Sequence, residues 1–167
     1  IEQSTAGGLF ATATTVGAST TRATITGLTN GVPLAFRVIA VNPVGDGPAS
    51  ASVGTSSVNV PGAPTLTAAI AGENSVTLRW NAPSSNGGAP VTGYGVEVSA
   101  DGGSSWVTVT PTTGNAGVNY VVTGLTNGSQ YSFRVTALNA AGASVASGSL
   151  SASPFSVASP VRALATD

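Results

Sequence analysis

The chain carries six acids: Glu2, Asp46, Glu73, Glu97, Asp101 and Asp167. Glycosidase chemistry needs two carboxylates facing each other across a cleft. Glu97 and Asp101 are the one pair close enough in sequence to suggest it, at the end of an alternating stretch and in the turn after it. Asp101, however, opens an Asp-Gly-Gly hairpin signature, and both acids read as solvated surface. Histidine, cysteine, lysine and methionine are absent. No Ser–His–Asp or Cys–His arrangement can be assembled, and no lysine exists to form a Schiff base. No G-x-S-x-G, G-x-G-x-x-G or Walker loop occurs, and no D-x-D-x-D-G calcium loop. The expectation is a chain with no catalytic, cofactor-binding or metal-binding residue, and not an enzyme.

The aromatics offer a second kind of chemistry, because an exposed tryptophan stacks on sugar rings. Trp80 alternates with Val76 and Leu78, which places it in a core. Trp106 alternates with Thr108 and Thr110 on a more polar face and follows the turn Asp101 to Ser105. It reads as an aromatic packed on a sheet edge, with a contact surface as the alternative. Asn127-Gly128-Ser129 is a formal glycosylation sequon. A turn explains it equally well, since Asn30-Gly31-Val32 has the same form without the hydroxyl.

These residues sit in an unusual background. The chain has 167 residues, of which 7% are charged, against roughly 25% in an average soluble domain. The net charge is −1 and the arginines are scattered, so there is no electrostatic footprint for nucleic acid. No apolar run reaches the roughly 18 residues of a membrane span, and no signal peptide is expected. The absence of cysteine excludes disulfides without assigning a compartment. With Ile1 in first position, a fragment, a processed form or a partial trace is expected. Near-zero net charge weakens the repulsion that keeps molecules apart, which suits something that stacks or assembles.

An internal repeat sets the organisation. Residues 25–45 match residues 122–142 at an offset of 97, and Ser4 to Gly8 correspond to Ser99 to Gly103 at an offset of 95. Apolar and polar residues alternate at Val76/Leu78/Trp80, at Tyr94/Val96/Val98 and at Tyr131/Phe133/Val135/Ala137, as in half-buried strands. Turn signals at Gly72 to Asn74, Pro83 to Pro90, Asp101 to Gly103, Thr113 to Asn115 and Asn127-Gly128 separate these strands. No stretch has the 3.6-residue helical period. The prediction is all-β: tandem antiparallel β-sandwiches of about 95 residues each.

On these residues the chain resembles the fibronectin type III family. Pro61-Gly62-Ala63-Pro64 is similar to the family's proline-rich lead-in. Trp80 stands where the strand B core tryptophan is expected, with Pro83 after it. Tyr94 matches the strand C tyrosine, Leu125 the leucine before strand F, and Asn139 and Gly142 the A-x-N-x-x-G close. The resemblance implies a tyrosine corner at Tyr131. It implies a core containing Trp80, Tyr94, Leu125, Tyr131 and Phe133, with Leu28 and Phe36 taking the places of Leu125 and Phe133 in the earlier copy. Leu34 replaces the corner tyrosine there, and Phe10 occupies the place of Trp106, which favours edge packing for both.

Residues 1–57 therefore read as a partial domain without its first strands, 58–153 as a complete domain, and 154–167 as a linker with the possible first strand of another. A first copy without strands A and B would expose the inner face of its sheet. A window from a longer array explains this; completion by the tail of another chain is the alternative. The linker around Pro61 and Pro64 predicts a short, semi-rigid joint. The functional expectation is a structural or adhesive repeat segment of a large extracellular or cell-surface protein, bacterial by composition, in a filament or sheath. The competing reading is a spacer in a secreted polysaccharide-degrading enzyme. Expected partners are neighbouring repeats of the same or identical chains, and other surface proteins or polysaccharide. No nucleic acid and no membrane span are expected.

Overall fold

A computed structural model describes residues 1–157. Among them every regular element is a strand, and adjacent strands pair antiparallel. The first six are β1 (Glu2–Thr5), β2 (Ala11–Thr12), β3 (Pro33–Arg37), β4 (Ile39–Asn42), β5 (Gly45–Ala49) and β6 (Val53–Ser56). The next eight are β7 (Thr65–Gly72), β8 (Ser75–Asn81), β9 (Gly93–Ser99), β10 (Val107–Thr110), β11 (Asn119–Thr123), β12 (Tyr131–Asn139), β13 (Gly142–Ala143) and β14 (Leu150–Ala152).

Strands β7 to β14 form two sheets. One is ordered β11-β8-β7. The other is ordered β10-β9-β12, with β13 and β14 both paired to β12. Alternation turns one face of each sheet inward, and the two apolar faces meet. Val76, Leu78 and Trp80 of β8 and Val122 of β11 face Tyr94 and Val96 of β9 and Phe133, Val135 and Ala137 of β12, with Leu66 and Leu125 completing the cluster. The rings of Trp80 and Tyr94 meet edge to face, 5.1 Å apart at 61°. The Trp80 indole N–H is buried with no hydrogen-bond partner among the described residues. Tyr131 flanks this core half-buried, its ring 6.5 Å from that of Phe133, and its hydroxyl accepts a bond of 3.3 Å from the Thr126 amide. That bond holds the hydroxyl below the usual tyrosine pKa.

Strands β1 to β6 repeat only one of the two sheets. They order as β2-β1-β3-β6, with β4 and β5 as a separate pair. The strands β3 and β4 occupy the place of the single strand β12, interrupted at Val38. Residues 22–26, the counterparts of β11, form no strand, because no β8 equivalent lies beside them to pair with. This changes the expected core. Leu28 and Phe36 are half-buried instead of buried, and Val38 is 55% exposed, whereas Phe133 and Val135 at the matching positions are fully buried. The residue types are the same or nearly so; the covering sheet is what differs. Leu34 alone in this sheet is a buried apolar side chain. The proposed first strand of a further copy, within 154–167, falls largely outside the described residues.

Candidate contact surface and joint

Two surfaces gather the side chains that could do something other than pack. The first is the outer face of the β9–β12 pair. Register places Glu97 opposite Arg134, and the Arg134 Nε donates to Glu97 Oε2 at 2.6 Å. The guanidinium carbon then lies 4.2 Å over the Trp106 ring centre. Trp106 is half-buried, with one ring face taken by arginine. The same triad stands on the earlier sheet. Register there pairs Glu2 with Arg37, the bond is 2.6 Å, and Arg37 lies 4.1 Å over Phe10. Four of the few charged side chains are thus spent on two copies of one arrangement, which fastens the short β10 and β2 edges to their sheets. Arginine suits this because its planar head can bond a carboxylate and stack on a ring at once.

Glu97 and Asp101 do not form a catalytic pair. Glu97 is committed to Arg134. Asp101 closes the turn after β9, accepting from the Ser99 hydroxyl at 2.6 Å, the Ser105 hydroxyl at 2.6 Å and the Ser105 amide at 2.9 Å. These donors, Ser105 foremost, hold its carboxyl well below the usual aspartate range. Among the described residues no three His, Cys, Asp or Glu side chains gather to hold a metal ion. No helix there is long and apolar enough to cross a membrane.

The second surface is the joint around residues 57–62. The Gly31 amide donates to Ser57 O at 2.7 Å, the Asn59 amide to Gly87 O at 2.8 Å, and the Gly62 amide to Ser85 O at 2.9 Å. Asn139, at the end of β12, is buried, and its amide nitrogen donates to Asn59 O and to Asn86 O, both at 2.8 Å. One side chain thus ties the linker to the loop between β8 and β9. Gly31 and Gly88 meet backbone to backbone, both with positive φ. A Cβ on Gly88 would stand 2.3 Å from the Gly31 nitrogen, so only glycine fits.

Trp80, Tyr94, Leu125 and Phe133 lie in the buried cluster, Tyr131 at its margin, and Leu28 and Phe36 apart from it on the earlier sheet. Sequence reasoning passed over the pairing of Glu2 with Arg37 and of Glu97 with Arg134, Asn139's hold on the linker and the Gly31–Gly88 contact. A signal existed for the triads: Glu2/Glu97, Phe10/Trp106 and Arg37/Arg134 recur at offsets of 95, 96 and 97 in a chain with few charges. The glycine contact joins non-equivalent turns, and no repeat alignment reveals it.

The sequence profile of the fibronectin type III domain matches residues 61–153, more than half of the chain. The chain belongs to the fibronectin type III family. Human myomesin-2 is 36% identical over 125 residues, 71% of this chain and 8% of its own length. Rat neogenin is 34% identical over 138 residues, 79% of this chain and 9% of its own. Domains A168-A170 of titin superpose with a TM-score of 0.54 at 26% identity, covering 75% of this chain and 40% of theirs. The chain thus spans about a tenth of the length of the curated relatives it matches. The antiparallel sandwich of β7 to β14 is the architecture that alternation and turn spacing predict, and the family is the one that the resemblance implies.

Proposed function

We propose that this fibronectin type III chain is a non-enzymatic structural or adhesive segment of a larger extracellular or cell-surface protein, one that spaces and aligns its neighbours in a filament or sheath. We read residues 1–57 as part of one domain, 58–153 as a complete one, and 154–167 as the approach to the next. The observation that carries this reading is the joint. A flexible tether would leave the linker solvated, but here its backbone is bonded to both turns it connects, and Asn139 donates one amide hydrogen to the linker and the other to the loop between β8 and β9. Such a joint transmits orientation from one sandwich to the next. The lysine-free, hydroxyl-rich composition suits lateral contact without charge repulsion and is the support for a bacterial source.

Two measurements test this. Sequence on either side of the segment should continue the 97-residue repeat; a flanking hydrolase domain would overturn the reading in favour of an enzyme spacer. Single-molecule stretching of the chain should show one discrete unfolding event releasing roughly 30 nm of contour, the extended length of the 61–153 sandwich. Gradual extension without such an event would argue against a structural role.

A further inference from the structure

Two turns of the chain are copies of each other. Asn30-Gly31 and Asn127-Gly128 stand 97 residues apart, and their glycines have φ of +75° and +80°. Each turn grips the chain as it leaves its sheet. The Gly31 amide donates to Ser57 O at 2.7 Å and the Gly128 amide to Pro154 O at 2.8 Å, acceptors that are again 97 apart. Each asparagine also bonds a serine hydroxyl of that departing stretch: Asn30 accepts from Ser57 itself at 2.8 Å, and Asn127 donates to Ser156, two residues past Pro154, at 3.0 Å.

The turns differ in what lies outside them. A Cβ on Gly31 would stand 2.8 Å from the Gly88 Cα, because the loop between β8 and β9 is seated there; a Cβ on Gly128 meets nothing within 4 Å among the described residues. The residues after each turn follow suit. Val58 and Val60 are 43% and 38% exposed, and Val60 lies against Gly142 of the following sheet. Their counterparts, Phe155 and Val157, are 50% and 59% exposed.

We propose that the Asn127–Gly128 turn, with Pro154 and Phe155 beside it, is a docking surface for the glycine-pair loop of a further fibronectin type III repeat like residues 61–153. The partner is specified by shape. A left-handed glycine presents bare backbone, and only another bare backbone approaches it as Gly88 approaches Gly31. The patch Asn127, Gly128, Ser129, Pro154, Phe155 carries no charge, and neither does the glycine-pair loop, residues 82–92. Repeating one joint gives a head-to-tail stack with constant rotation per domain. The proposal rests on reading the chain as a repeat segment.

The test is a tandem chain: residues 1–157 followed directly by a second copy of 61–157, which keeps Phe155 and restores the 97-residue spacing. The buried cluster of the sandwich is drawn wholly from residues 66–152, so the appended copy has its own core. With no native cysteine, spin labels can be placed at Thr12→Cys and Thr108→Cys across the first joint. A second pair, at Thr108→Cys and its counterpart in the appended copy, spans the second. Electron–electron distance measurements should give two narrow distributions with the same mean. Gly128→Ala should broaden only the second, and thermal unfolding of the single chain with Gly128→Ala shows whether its sandwich stays intact. A broad second distribution in the unsubstituted tandem overturns the proposal. So does a narrow one that Gly128→Ala leaves unchanged in a folded chain. If that variant does not fold, the unsubstituted tandem decides alone. Failure here leaves the repeat reading standing; that reading falls only if the flanking sequence lacks repeats.

Discussion

Phe133 and Phe36 occupy the same place in two copies of one strand pattern, and removing each ring should have very different consequences. Phe133 is fully buried between the sheets, in the cluster that also holds Val135, Val96 and Leu78, with Val98 and Leu150 opposite it on the neighbouring strands. Truncating a buried phenylalanine to alanine costs about 3–5 kcal/mol, from lost transfer energy plus the cavity left behind. A small domain has only about 5–15 kcal/mol in all, so Phe133→Ala should remove a large share of the stability. At about 4–8 °C per kcal/mol, the melting temperature should fall by at least roughly 12 °C. Phe36 is half-buried on a sheet with no covering partner. Both tryptophans, Trp80 and Trp106, lie in the later sandwich, so urea unfolding followed by their fluorescence reports on that sandwich alone. Phe36→Ala should change the unfolding free energy so measured by under about 0.5 kcal/mol, the range of substitutions away from packed features. Equal shifts for the two variants, or a loss under about 1.5 kcal/mol for Phe133→Ala against the expected range, would refute the claim of a self-contained core.

Other outcomes follow from named contacts. Arg134→Ala should cost about 1 kcal/mol, since the ion pair and the stacked ring are partly exposed, and should shift the Trp106 emission as its covered face meets water; denaturant titration and emission spectra check both. Tyr131→Phe removes the bond to the Thr126 amide and should lower stability by about 0.5–1.5 kcal/mol, read by calorimetry. Asp101 titrates lower in the folded chain than in the unfolded one, so the unfolded state takes up the proton first on acidification. Its contribution should be complete above the ordinary aspartate value of about 3.9 and fall away below it. Melting temperatures measured downward from pH 5 should show that loss, and Asp101→Asn should flatten it. Asn139→Ala leaves Asn59 O and Asn86 O without their shared donor and should broaden the distance distribution between labels at positions 12 and 108.

Much of this was legible in the residue order. Alternation at Val76/Leu78/Trp80 and at Tyr131/Phe133/Val135/Ala137 marks which side of each strand faces inward, because side-chain direction has a period of two. Turn residues bound the strands, and the offset of 97 shows that two stretches share one plan. The missing His, Cys and Lys exclude whole classes of chemistry without any coordinates. The Glu–Arg–aromatic triads were legible only as a recurrence. Knowing that Glu97 faces Arg134 requires strand register, which depends on how β9 and β12 slide against each other.

Composition and pattern therefore suffice for the all-β class and for the inward side of each strand, since these follow from local rules acting within a few residues, and the repeat is read by comparing the two stretches. Burial does not follow from such rules. Phe36 and Phe133 share residue type and strand position, yet one is half-buried and the other fully enclosed, because enclosure depends on a second sheet contributed by residues far along the chain. The Gly31–Gly88 contact has the same origin. Each glycine is an ordinary turn residue in its own segment, and their meeting arises when Asn139 and the linker bonds bring two turns distant in sequence together, a long-range consequence that no local pattern encodes.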